Sequence, residues 1–250
     1  MATRLQGDDT AATCRHARPA VAAHGDSPSE ARVTARPRMT PSRRRIFVLS
    51  PASCSGRRAA QLLSPRAQFD LAVRLREGEN ASIGEVFQFL SGLYFRGKLA
   101  YARAFARPPE ALPSGVFVIT AGAGLREADT RITAGALRAF AGVDIDAANG
   151  AYRRPLERTA RAMDDEAGDE VDVVLLGSIA SGKYVDVLGG IFGERLLFPP
   201  AFVGRGDMSR GGLMLRAAAS GEELEYAPIA GAIRHGTRPP RLDPATRVKT

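Results

Sequence analysis

The chain has 250 residues, 44% of them hydrophobic and 25% charged, with a formal net charge of +8. That is enough length for one α/β domain with a buried core, and the balance is that of a soluble globular protein. No apolar run approaches the roughly 18–20 residues that span a bilayer, and the N-terminal stretch lacks the apolar segment of a secretory signal, so a cytoplasmic protein without a membrane partner is expected.

Two cysteines, Cys14 and Cys54, do not make a disulfide framework, which fits a reducing compartment. The three histidines are His16, His24 and His235, too few and too scattered for a histidine zinc site or a Ser-His-Asp triad. Neither metal nor cofactor is expected. The positive charge is concentrated at the ends: residues 1–45 carry +5, residues 238–250 carry +3, and the middle is near neutral. Net charge alone therefore predicts no basic face on the folded part. Arg outnumbers Lys 32 to 3, which has the look of codon bias as much as of phosphate binding.

Residues 1–44 lack periodicity and are rich in Ala, Arg, Pro, Ser and Thr, so they read as a disordered basic tail. Met39, just ahead of the first strand, is an alternative start. Residues 45–50 (RIFVLS) predict a first strand that ends at Pro51 and exits through a small, polar loop containing Cys54 and Gly56. Ser82 is placed to cap a long amphipathic helix with Ile83, Val86, Phe87, Leu90, Leu93, Tyr94, Tyr101 and Phe105 on its apolar face. Gly92 and Gly97 predict a break, and Arg96, Arg103 and Arg107 share the opposite, solvated face.

Residues 116–120 predict a second strand, exiting through AGAGLREAD. Thr133 caps a short helix to Phe140, and a further helix runs over 152–165. Residues 171–176 are the third strand, followed by a Gly/Ser turn, a helix over 183–192 and a short strand over 195–198. Residues 202–212 read as a glycine-rich loop. Residues 212–219 and 223–229, flanking Ser220-Gly221, read as an antiparallel hairpin, and residues 238–250 as a basic tail.

Three strands thus leave through Gly/Ser-rich loops, at residues 50–58, 120–129 and 177–184. Ligands of open parallel sheets bind beyond the carboxyl ends of the strands, where such loops converge. Gly and Ser also serve simply as tight turn residues. Gly177-Ser178-Ile179-Ala180-Ser181-Gly182-Lys183-Tyr184 nearly matches the phosphate-binding pattern G-x-x-x-x-G-K-[ST]. Tyr184 replaces the hydroxyl that would hold Mg²⁺, so a nucleoside triphosphatase is not expected, whereas a turn holding phosphate or carboxylate with Lys183 and a serine hydroxyl remains open.

Cys54, beside Gly56, Arg57 and a helix start, is either an activated thiol or a small buried or semi-buried side chain; no partner base is evident. Asp129 is a catalytic candidate or a turn residue. Arg205, Asp207 and Arg210 either clamp an anion or pair among themselves.

The Cys-bearing loop, LYFRGKLAYARAF and VITAGAGLREADTRI, in that order, resemble an uncharacterised bacterial and phage α/β family whose members read LY-S-x-x-F…YA and then ILSAKYGL…PD. The similarity runs over residues 47–198. This chain has Thr120-Ala121-Gly122 for the family's Ser-Ala-Lys, and Ala128-Asp129 for Pro-Asp. The resemblance implies a Rossmann-like sandwich with a site near Cys54, Tyr94, Gly124 and Asp129, and implies no established activity.

The expectation is a single α/β domain over 45–237: a three-layer sandwich with a mostly parallel, Rossmann-like sheet and an antiparallel hairpin at one edge. Its expected partner is a small anionic ligand, phosphorylated or nucleobase-containing, at the strand-exit loops. Transfer or hydrolysis at a phosphoryl or glycosidic bond is the reaction class if it is an enzyme. The alternative is a non-catalytic nucleic-acid module using the basic tails and the arginine face.

Overall fold

A computed structural model describes residues 43–78 and 81–240. Most of both expected tails, with the alternative start at Met39, lies outside the described residues. Residues 236–240 run beside the loop at Gly204, and Arg205 donates to the Pro240 carbonyl.

The main sheet has six strands in the order β4-β3-β1-β6-β7-β8. β1 (Arg45–Leu49) is central, flanked in parallel by β3 (Val116–Thr120) and β6 (Asp172–Leu176), and β7 (Leu196–Phe198) continues the parallel set. β4 (Gly124–Glu127) and β8 (Ala227–Pro228) close the two edges antiparallel. A strand covered on both faces must be apolar throughout rather than alternating, and RIFVL, VFVIT and DVVLL are buried at every position.

The alternation reappears in what each side chain touches. Phe47, Leu49, Val118, Val174 and Leu176 point into one core, and Ile46, Val48, Ile119, Val173 and Leu175 into the other. The first core is covered by α3 (Ile83–Ser91), α4 (Leu93–Phe105), α5 (Ala134–Ala141) and α8 (Asp207–Ser220). The second is covered by α6 (Gly150–Ala167) and α7 (Gly182–Phe192). Helix, sheet and helix make the three α/β layers. Two short helices, α1 (Arg57–Leu62) and α2 (Asp70–Arg76), lie in the first crossover, and β2 (Ala81–Ser82) pairs with β5 (Arg131–Ile132) in a separate ribbon.

Ser82 caps α3 as its spacing predicts: its Oγ accepts from Glu85 N–H at 3.2 Å, and Glu85 returns a bond to Ser82 N–H at 2.9 Å. The amphipathic run breaks at Gly92, whose φ of 61° separates α3 from α4. Gly97 is not a weak point in α4 but its crossing point with α8. A Cβ there would lie 2.5 Å from the Gly211 carbonyl oxygen, and one on Gly211 would lie 2.7 Å from that of Leu93.

Two sequence expectations are corrected. Residues 207–220 form α8 rather than a loop and the first arm of a hairpin. LMLRAAAS consists largely of good helix formers, and Gly221, at φ 72°, is a left-handed helix cap rather than a hairpin turn. Only Ala227–Pro228 of the second arm is a strand, paired with β7. The exit of β3 is likewise not an extended loop. The chain turns within Ala121–Ala123 and returns antiparallel as β4, so the edge hairpin is β3–β4.

At the amino end of the sheet, Arg45 pairs with Asp172 and Glu223 and lies over the Tyr226 ring, while Arg107 also binds Glu223. This network ties the segment after α8 to β1. No helix among the described residues is long and apolar enough to cross a membrane.

Candidate functional site

β3, β1 and β6 are adjacent and parallel, so their carboxyl ends lie side by side. The loop after β1, the turn after β3 and the first turn of α7 line one cleft of about 560 Å³, whereas Gly177, Ser178 and Gly182 are not part of its lining. Pro51 to Ser55 come from the first loop, Ala121 from the second, and Lys183 with Tyr184 from the start of α7. Phe87 of α3, Phe140 of α5 and the turn Val143–Asp146 complete the walls. The cleft therefore has apolar sides, one ammonium from Lys183 and two carboxylates from Asp144 and Asp146. Ser181, at the amino end of α7, makes no side-chain capping bond.

Two of the predicted binding glycines serve close approach. A Cβ on Gly177 would meet Ser50 Cβ at 2.9 Å, so glycine lets the exits of β6 and β1 touch. Gly182 leaves room for the Asp186 carboxylate. Ser178 Oγ accepts from Ala180 N–H at 3.4 Å within the turn. Lys183 is exposed, and its carbonyl accepts from Tyr152 Oη at 3.1 Å, which anchors α7 to α6.

Cys54 lines the cleft, but its surroundings oppose activation. Burial pushes the thiol up to about 11, and Sγ lies 3.5 Å from the Ala52 carbonyl oxygen, to which it donates. This fits a half-buried thiol without an activating partner. Asp129 and Gly124 stand apart from the cleft lining. β4 carries the chain back along β3 until Ala128 N–H bonds to the Val116 carbonyl at the opposite end of the strand, and there exposed Asp129 pairs with Arg103. Gly124, at φ 74°, packs directly on α6: a Cβ would stand 2.3 Å from both the Pro155 carbonyl oxygen and Thr159 Oγ1. Asp129 is thus not brought together with Cys54.

Arg205, Asp207 and Arg210 do not converge as one clamp. Arg205 binds the Ala201 carbonyl and Ser209 Oγ. Arg210 binds the Phe202 carbonyl at 3.1 Å and pairs with Asp207 at 3.5 Å. Arg210 and Asp207 instead sit beside a cluster that composition and motif spacing did not reveal.

That cluster is built on Lys98 of α4. Its side chain is 1% exposed, yet Nζ donates to the Ser50 carbonyl at 2.6 Å and lies 2.9 Å from Ser50 Oγ. The rings of Tyr94 and Phe95 lie 4.3 and 4.9 Å from the nitrogen. No carboxylate forms an ion pair with Lys98 among the described residues. Burial pulls the amine down to about 7; the Asp207 charge acts upward and the Arg210 charge downward. Tyr94 Oη is buried without a hydrogen-bond partner. Burial raises its phenol to about 12, against the pull of Arg210 and the Ser50 hydroxyl, which are near it but not in bonding geometry. Tyr184 belongs to both places: it lines the cleft, and burial together with Tyr94 and Asp207 raises its phenol to about 12.

Among the described residues no three His, Cys, Asp or Glu side chains are grouped to hold a metal ion. Compared with protein-family models, with curated proteins and with solved structures, the chain matches none.

Proposed function

We propose that the cleft binds a small phosphorylated molecule carrying a nucleobase. The observation that supports this most directly is that the loop after β1, the turn after β3 and Lys183 in the first turn of α7 line one cavity. In this reading the phosphoryl group sits at the start of α7, where uncapped backbone N–H groups and the Lys183 ammonium offer positive potential. Phe87, Phe140 and Val143 supply apolar walls for a flat base. Asp144 and Asp146 provide acceptors for sugar hydroxyls and disfavour a ligand that is anionic along its whole length. Transfer or hydrolysis at a phosphoryl or glycosidic bond is the chemistry such a pocket would host.

The test is a thermal-shift panel of nucleosides, nucleotides and sugar phosphates on the wild type and on Lys183→Ala. A nucleotide present at 100 times its Kd adds about 2.7 kcal/mol to wild-type stability, readily seen as a raised Tm. The expected result is a shift for nucleotides in the wild type that is reduced in Lys183→Ala. A panel that moves neither protein overturns the reading.

A further inference from the structure

We propose that Ser50 is a nucleophile for phosphoryl transfer, with Lys98 as its base and Tyr94 and Arg210 as donors to the phosphoryl oxygens. The proposal rests on the cleft reading above and assigns its reaction centre.

Four observations, on α4, on α8 and at the end of β1, point to it. A lysine buried to 1% exposure with no ion-pair partner among the described residues is costly, and an apolar residue of similar volume would fill α4 without that cost. The amine is spent on one residue, Ser50, at both its carbonyl and its hydroxyl. The carbonyl only accepts, so it takes one N–H. A neutral amine still has a lone pair that can receive the Ser50 hydroxyl proton across 2.9 Å, the relation of nucleophile and base in Ser-Lys enzymes. Tyr94 Oη, buried and unpartnered, is a donor waiting for an acceptor. The Arg210 guanidinium beside it supplies the planar fork that suits phosphoryl oxygens.

Position agrees with chemistry. Ser50, buried just past the end of β1, immediately precedes the Pro51–Ser55 wall of the cleft, and Gly177 is shaped to leave its side chain room. The groups facing Lys98 are Ser50 just after β1, Tyr94 and Phe95 from α4, and Asp207 with Arg210 from α8. Depression of the amine toward neutrality lets it act as a base near pH 7.

In the step itself, the Ser50 Oγ–P bond forms as the P–O bond to the leaving alcohol breaks. The hydroxyl proton moves to Lys98 Nζ and returns through water to the departing alkoxide. Water then hydrolyses the phosphoserine, releasing phosphate and restoring the Ser50 hydroxyl. One water is consumed, and no oxidant or metal enters the balance.

The test uses diisopropyl fluorophosphate, in which Ser50 Oγ displaces fluoride from phosphorus, on the whole chain with peptide mass spectrometry as readout. The wild type should gain one phosphoryl adduct on Ser50, at a rate that rises with pH and levels off above an inflection near 7. Ser50→Ala should lose the adduct. Lys98→Met, confirmed folded by circular dichroism, should label about 100-fold more slowly without that inflection, as expected when a positioned base is removed. Tyr94→Phe should slow labelling about 100-fold while leaving the inflection in place. No Ser50 adduct in folded wild type, with this reagent or with the smaller methanesulfonyl fluoride, overturns the proposal. So does folded Lys98→Met labelling at the wild-type rate. If Lys98→Met does not fold, the wild-type profile decides, and a rate flat from pH 6 to 9 overturns the role of Lys98. Ser50→Ala should still show the nucleotide-induced thermal shift. Labelling without any such shift refutes the cleft reading alone, and a shift without labelling refutes this one alone.

Discussion

Burying Lys98 makes the stability of the fold depend on pH in a direction opposite to that of a surface lysine pair. The amine falls from its ordinary 10.5 to about 7 in the folded state. Between those values the unfolded chain holds a proton that the folded chain has released, so stability rises with pH across the window and is lowest below pH 7. The full displacement corresponds to about 5 kcal/mol, of which about 2 kcal/mol is recovered between pH 6 and 8.5. That interval stays below the ordinary thiol and phenol range, where Cys54 and the buried tyrosines add slopes of the opposite sign. Urea unfolding followed by circular dichroism at pH 6, 7, 8 and 8.5 reads the effect directly. The wild type should gain about 2 kcal/mol more over the series than Lys98→Met. At pH 6 the variant should be the more stable protein, because the lost bonds to Ser50, about 1–3 kcal/mol, are smaller than the cost of burying charge. Parallel pH curves for the two proteins would refute the argument, since they would mean that Lys98 carries its proton equally in both states.

Two further outcomes follow from single residues. Gly124→Ala should destabilise by more than about 2 kcal/mol in the same unfolding assay, since it combines a left-handed backbone with a Cβ 2.3 Å from a carbonyl oxygen and a hydroxyl; a neutral change would show that the β3–β4 turn can move away from α6. Cys54, with its thiol raised from 9.0 to about 11, should react with iodoacetamide at pH 8 about 100-fold more slowly than an exposed cysteine. Alkylation at the exposed rate, followed by mass spectrometry of the Cys54 peptide, would restore it as a nucleophile candidate.

The sequence identified the parallel core and the place of the cleft for a physical reason. Strands buried on both faces must be continuous apolar runs, and β1, β3 and β6 are; parallel neighbours must then present their exits together. It misled where local composition had two solutions. Gly211-Gly212 and Ser220-Gly221 suit a loop and a turn, but they also suit a helix pressed against α4 and its left-handed cap, and only the partner helix decides between them. VITAGAGLREAD read as strand and exit loop, so Gly124 and Asp129 were placed at the site. An edge hairpin instead carries Asp129 to the other end of β3.

Lys98 is the more instructive miss, because a signal for it was present. It lies four residues after Tyr94 and three before Tyr101, on the same apolar stripe of α4 that faces the core, where a charged side chain is costly. In a chain that uses Arg 32 times and Lys 3 times, composition cannot account for a lysine at that position as it can for the surface arginines. Arg103 lies on the other side of the helix, and Arg107 past its end, in a β-bridge to Arg45 rather than on the helical face the sequence suggests. Both are engaged in exposed or half-exposed ion pairs, which any basic residue would satisfy. A guanidinium cannot lose its proton in a protein, whereas an amine can, so only lysine can be buried there as a base. The two lysines among the described residues, Lys98 and Lys183, stand at the carboxyl end of the sheet, one beneath the end of β1 and one in the cleft wall. Where arginine is the default cation, the positions that depart from it are where proton chemistry is to be sought.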